Sequence, residues 1–100
     1  MIYLTQLIYI KEGKEDVFNQ FEAVAIPTIA KYNGKLLLRM KPQESDFIEA
    51  HIEKPYEIHL VTFDTQEDFE NFKEDEERKK FLYLKEESIR ETILIQGIKI

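Results

Sequence analysis

Glu49 and His51 stand two residues apart in the polar stretch Pro42 to Lys54. A carboxylate and an imidazole converging on one loop can serve as base and acid toward a bound molecule, so this pair is the catalytic candidate; a solvated loop would carry the same two residues with no role. His59 lies eight positions beyond His51 in an apolar stretch, which is not the spacing of a metal pair. No metal site and no cofactor motif is read from the chain. Arg39, His59, Tyr32, Gln6 and Thr62 are the ligand-binding candidates. Arg39 could anchor an anionic ligand or pair with Glu57. Gln6 and Thr62, with Tyr32 nearby, could orient a small polar group in an otherwise apolar pocket, or they could hydrogen-bond each other or a buried water.

The elements that must position these residues follow from periodicity. Ile2 to Ile10 is rich in β-branched and aromatic residues and reads as a strand, with Lys11 to Lys14 as its turn. Val17, Phe18, Phe21, Val24, Ala25 and Ile29 recur at three- and four-residue spacing, which predicts a helix from about Glu15 to Tyr32. Pro27 interrupts its hydrogen-bond ladder and predicts a kink or a restart. Asn33-Gly34 ends the helix, because glycine tolerates the left-handed conformation and asparagine is the next best choice. Lys35 to Lys41 and Tyr56 to Phe63 read as the second and third strands. Thr65, with Asp68 three residues on, marks a helix start. Helical pieces are predicted over Gln66 to Glu74 and Glu76 to Glu87, and a last strand over Thr92 to Ile100.

That order, βαββαβ over residues 1–100, is a single α+β domain on the ferredoxin-like plan, with a four-stranded antiparallel sheet. Right-handed crossovers place both helices on one face and leave the other bare. Alternation divides each strand into two sets. Ile2, Leu4, Ile8, Ile10, Leu36, Leu38, Met40, Ile58, Leu60, Ile93 and Ile95, with Gln6 and Thr62, are expected under the helices. Tyr3, Leu7, Tyr9, Leu37, Val61, Phe63, Leu94, Ile98 and Ile100, with Thr5, Arg39, Glu57, His59 and Gln96, are expected on the bare face. Such a face is too apolar for water, so a homodimer packed sheet to sheet is expected. A one-residue slip in any strand would exchange its sets.

Composition narrows the partners. A net charge of -6 offers no basic stripe to neutralise phosphates, which argues against nucleic acid and anionic membrane surfaces. With no cysteine, a thiolate metal site or cysteine nucleophile is excluded. No apolar run approaches the ~20 residues of a membrane span, and the first residues enter a strand directly, so a cytoplasmic protein is expected.

The residues AIPTIAKYNGKLLLRMKP, with Glu49 in the following loop and Phe63 at the end of the third strand, resemble small bacterial proteins grouped as domain of unknown function 1330. Pro27-Thr28 matches that group's Pro-Thr, and Gly34 its helix-stop glycine. Glu49 falls where the group has a Glu-Gly pair, but Ala50 replaces the glycine, and Phe21 stands where a tyrosine is common. The resemblance implies a dimeric α/β barrel and no agreed reaction. Two functions of different class therefore fit: a cofactor-independent enzyme or binder for a small, partly apolar metabolite, or a non-catalytic dimerisation module. A cavity would favour the first and a filled interior the second.

Overall fold

In the computed structural model, which describes residues 1–100, the alternating stretch Ile2–Ile10 forms β1 inside a four-stranded sheet. The other strands are β2 (Gly34–Met40), β3 (Glu57–Phe63) and β4 (Ile89–Gly97), ordered β2-β3-β1-β4 in space with every neighbouring pair antiparallel. Helix α1 (Glu15–Ile29) connects β1 to β2, while α2 (Gln66–Lys73), α3 (Glu76–Lys80) and α4 (Leu82–Ser88) connect β3 to β4. This is the expected ferredoxin-like plan. β4 begins three residues earlier than its pattern predicts and ends at Gly97.

Local chemistry accounts for the helices. Phe18, Phe21, Ala25 and Ile29 make the buried stripe of α1, and Glu22 falls on the same stripe. Pro27 stays within α1, and one residue on Thr28 Oγ1 donates to the Val24 carbonyl at 2.9 Å. A 3-10 turn, Ala30–Tyr32, extends the helix. Asn33 then takes the left-handed conformation at φ 58°, not Gly34. Gly34 is required for a different reason: a Cβ there would lie 2.6 Å from Ile29 Cγ2 and from Phe63 Cε1. Thr65 caps α2 as expected, its Oγ1 accepting from the Asp68 amide at 3.0 Å.

The register corrects the expected faces. Gln6 pairs with His59, Leu4 with Val61 and Ile8 with Glu57, so Glu57, His59, Val61 and Phe63 lie under the helices, and Ile58, Leu60 and Thr62 lie on the bare face. In β4, Thr92, Leu94 and Gln96 face the helices, while Ile93 and Ile95 face away. β2 changes sides midway. Leu36 pairs with Val61 but Leu38 with Leu60, so Leu37 is an extra residue, a β-bulge that turns Arg39 to the helix side opposite His59. Hydrophobicity misassigned β3 because both of its faces are largely apolar and its charged pair is buried with partners.

The helical layer is closed by two apolar clusters. Leu4, Ile29, Val61, Phe63, Phe69 and Phe72 form one; Phe21, Ala25 and Leu84 form the other. On the opposite face Leu38, Met40, Ile93 and Ile95 remain 37–53% exposed. No helix is long and apolar enough to cross a membrane.

Candidate functional site

Between the two clusters the sheet and helices do not meet. They enclose a cavity of about 200 Å³, most of whose lining residues are hydrophobic. Members of both clusters line it, among them Phe21 and Ala25 from one side and Phe63 and Phe72 from the other. The polar lining comes from every layer: Gln6 on β1, His59 on β3, Thr92 on β4, Glu22 on α1, Lys73 on α2, Arg78 on α3 and Lys85 on α4. Thr92 and Leu94 are its only exposed lining residues, so the cavity opens over β4.

On the floor, a chain of charge runs along the sheet from the part-exposed Arg39 to the buried Glu57 and His59. Arg39 Nε donates to Glu57 Oε1 at 2.8 Å and Nη2 to Oε2 at 3.3 Å, a two-pronged contact. His59 Nε2 lies 2.8 Å from the same Oε1. Burial raises the Glu57 pKa, but the hydrogen bonds from Arg39 and His59 outweigh it and hold the carboxyl below the usual range. Burial lowers the His59 pKa, and the attraction of Glu57 only partly offsets it, so the ring is neutral at neutral pH. With an ionised carboxylate as partner, Nε2 carries the proton and Nδ1 is left as the ring's acceptor.

On the roof, Glu22 is 7% exposed and makes no side-chain hydrogen bond within the chain. Burial pushes its carboxyl from an ordinary 4.5 to about 7; Arg39, Arg78 and Lys85 pull it down and Glu57 pushes it up. Such a group exchanges its proton at neutral pH, the condition for general acid–base work. Arg78 is fixed from three sides. Its amide donates to Asp75 Oδ1 at 2.8 Å, its Nη1 to the Lys73 carbonyl at 3.2 Å, and its guanidinium packs 4.9 Å from the Phe72 ring centre and 5.9 Å from that of Phe21.

The sequence candidates are thus divided. Gln6 and His59 line the cavity, and Arg39 supports His59 through Glu57 from within the same chain. Tyr32 does not reach it; its hydroxyl donates to Asp75 Oδ2 at 2.7 Å. Thr62 lies on the opposite face, donating to the Ile2 carbonyl at 2.7 Å. Glu49 and His51 do meet, at 3.4 Å, but with side chains 78% and 83% exposed and outside the cavity lining. Glu22, Arg78 and Lys85 are new to the site. Glu22 had a signal: it is the one charged residue at core spacing, between Phe18 and Ala25. Arg78 and Lys85 were hidden in and beyond a charge run that reads as a solvated face.

No family model matches the chain, and no curated protein does. Solved structures do. A protein of unknown function from Rhodopseudomonas palustris, RPA0582, superposes with a TM-score of 0.82 at 10% identity, over 99% of this chain and 82% of that one. At3g17210 from Arabidopsis thaliana gives 0.77 at 14% identity, over 100% and 96%. A NIPSNAP-family protein of unknown function from Agrobacterium tumefaciens gives 0.70 at 16% identity, over 97% and 86%. At such identities the likeness shows the fold, shared with NIPSNAP-family and other uncharacterised proteins.

Proposed function

We propose that this protein binds a small, largely apolar molecule between sheet and helices and moves a proton on it, Glu22 and His59 acting as the acid–base pair. The observation that carries this reading is Glu22, 7% exposed on the cavity wall, whose carboxyl makes no hydrogen bond within the chain, keeps access to the cavity and titrates at about 7. A structural carboxylate in a core is ordinarily paired. The cavity itself also supports the reading. At about 24 cal/mol per Å³, leaving such a volume unfilled costs up to roughly 5 kcal/mol, comparable to a small domain's whole stability. A module that only dimerises has no reason to forgo that packing. Glu49 and His51, outside the lining, take no part.

The bare sheet face gives the proposed assembly. Leu38, Met40, Ile93 and Ile95 form part of an apolar surface that two copies would bury sheet to sheet. We also propose that the chain belongs with the domain of unknown function 1330 group, on the order of its elements, the stretch AIPTIAKYNGKLLLRMKP, Glu49 and Phe63.

The test begins with ligands found by thermal shift among small ring compounds. Those with an acidic C–H should exchange it for solvent deuterium in the presence of the protein, followed by proton NMR. Exchange should fall by about 100-fold or more in Glu22→Gln, the usual weight of one acid–base group. Undiminished exchange in that variant would remove Glu22 from the chemistry, and ligands that still bind Ala25→Trp would place the site elsewhere.

A further inference from the structure

Among the polar groups around the cavity, Arg78 stands apart. Its Nε is the one buried side-chain nitrogen or oxygen with no hydrogen-bond partner. Nη1 is used by the Lys73 carbonyl, and Nη2 makes no hydrogen bond, so the Nε–Nη2 edge has no acceptor. That edge is the fork that matches a carboxylate with two parallel N–H···O bonds. A buried Nε without an acceptor costs stability unless something supplies one.

Its surroundings favour an anion. Lys85 lines the same cavity from α4, and Lys73, its ammonium paired with Glu70 at 3.0 Å, from α2, while Glu22 is the only acidic residue in the lining. The net charge of the lining is therefore positive whether or not Glu22 is ionised. The guanidinium cannot easily turn away, since Phe21, Phe72 and the Lys73 carbonyl hold it. Most of the remaining wall is apolar. The volume sets the size of what else is bound, because an apolar cavity of about 150 Å³ takes up benzene, and this one has about 200 Å³.

We infer that the ligand of this cavity is a single-ring-sized apolar molecule bearing one carboxylate, which the Nε–Nη2 edge of Arg78 receives with Lys85 as the second cation. This rests on the cavity being the binding site, and it adds the chemical class of the ligand. The carboxylate enters a space whose one acidic lining residue is Glu22, while Asp75 and Glu74 act on Arg78 from outside the lining, so it binds with Glu22 protonated. Glu22 then faces the ring rather than Arg78, in place to give or take its proton.

Benzoate and toluene separate the two claims, because they share a ring and differ in the carboxylate. Titrations followed by NMR on the intact protein at pH 6 should give at least tenfold tighter binding of benzoate. Arg78→Lys, which keeps the charge and loses the fork, should weaken benzoate at least tenfold and leave toluene unchanged; toluene binding also reports that the variant is folded. Lys85→Met should weaken benzoate less. Equal binding of the two probes, or benzoate binding indifferent to Arg78→Lys, would overturn the carboxylate site and leave the cavity as the binding site. Binding of neither probe would overturn both claims.

Discussion

His59 Nε2 lies 2.8 Å from Glu57 Oε1, two residues earlier on β3 and on the same face of the sheet. Adjacent side chains on one strand face are seldom joined so directly, and here both are nearly inaccessible, at 3% and 4% exposure. Arg39 closes the arrangement from β2. The carboxylate fixes the imidazole proton on Nε2, and Arg39 keeps the carboxylate ionised.

Removing the middle member should be the most damaging change on the sheet. Glu57→Gln leaves Arg39 without its counter-charge and lets His59 change tautomer. Breaking a buried ion pair costs about 3–5 kcal/mol, and Arg39, with 34% of its side chain exposed, moves the expectation to the lower end. The urea midpoint measures it. Combined with Arg39→Met, the loss should be clearly less than the sum of the two single losses; additive losses would mean the three residues do not act together.

The pH dependence has a definite sign. The folded-state pKa of Glu22 is raised to about 7, so between about 4.5 and 7 the folded state holds a proton that the unfolded chain releases. Stability contributed by this group therefore falls as pH rises through that window and is level above it. His59 works the other way, because its lowered pKa makes stability rise with pH through the acid side of 6.5. Glu22→Gln isolates the first effect. Its stability relative to wild type should grow from pH 4.5 to pH 8 by up to about 3 kcal/mol. A constant difference between the two proteins would show that Glu22 titrates normally.

Gly34 and Asn33 should respond oppositely to substitution. Gly34→Ala drives a methyl group against Ile29 and Phe63 and should cost about 1–3 kcal/mol in thermal or urea unfolding. Asn33→Gly keeps the left-handed conformation and should change stability by only a few tenths of a kcal/mol. Equal tolerance at both positions would mean the approach of α1 to β3 is looser than described.

The assembly is checked by mass. Sedimentation should give about twice the chain mass of 12.0 kDa. Leu38→Glu with Ile95→Glu, both on the bare face, should return it to a folded monomer. A wild-type monomer at micromolar concentration would leave that face for another partner.

Much of the fold was legible because Phe18 to Ile29 keep helical spacing, Thr65 and Asp68 announce α2, and the strands are short apolar runs between turn residues. The two faces of the sheet were not. In β3, Ile58 and Leu60 look more like core than Glu57 and His59, and only the partnership with Arg39 reverses that preference. Half of the site was lost for the same reason: a residue such as Arg78 reads as surface until Phe21 and Phe72 are seen beneath it.

The extra residue at Leu37 also bears on how such chains can diverge. Deleting it would leave Leu36 opposite Val61, Leu38 opposite Leu60 and Arg39 opposite His59, an even ladder in which every later residue keeps its side. Keeping Leu37 but pairing it in step, with no bulge, is what would exchange the sides: Arg39 would leave Glu57 and emerge on the sheet face proposed to meet a second copy, while Leu38 and Met40 would turn inward. The bulge thus absorbs one codon's gain or loss before it can reach either the buried charges or the bare face. In any lineage that lacks the extra residue, Arg39, Glu57 and His59 should still meet.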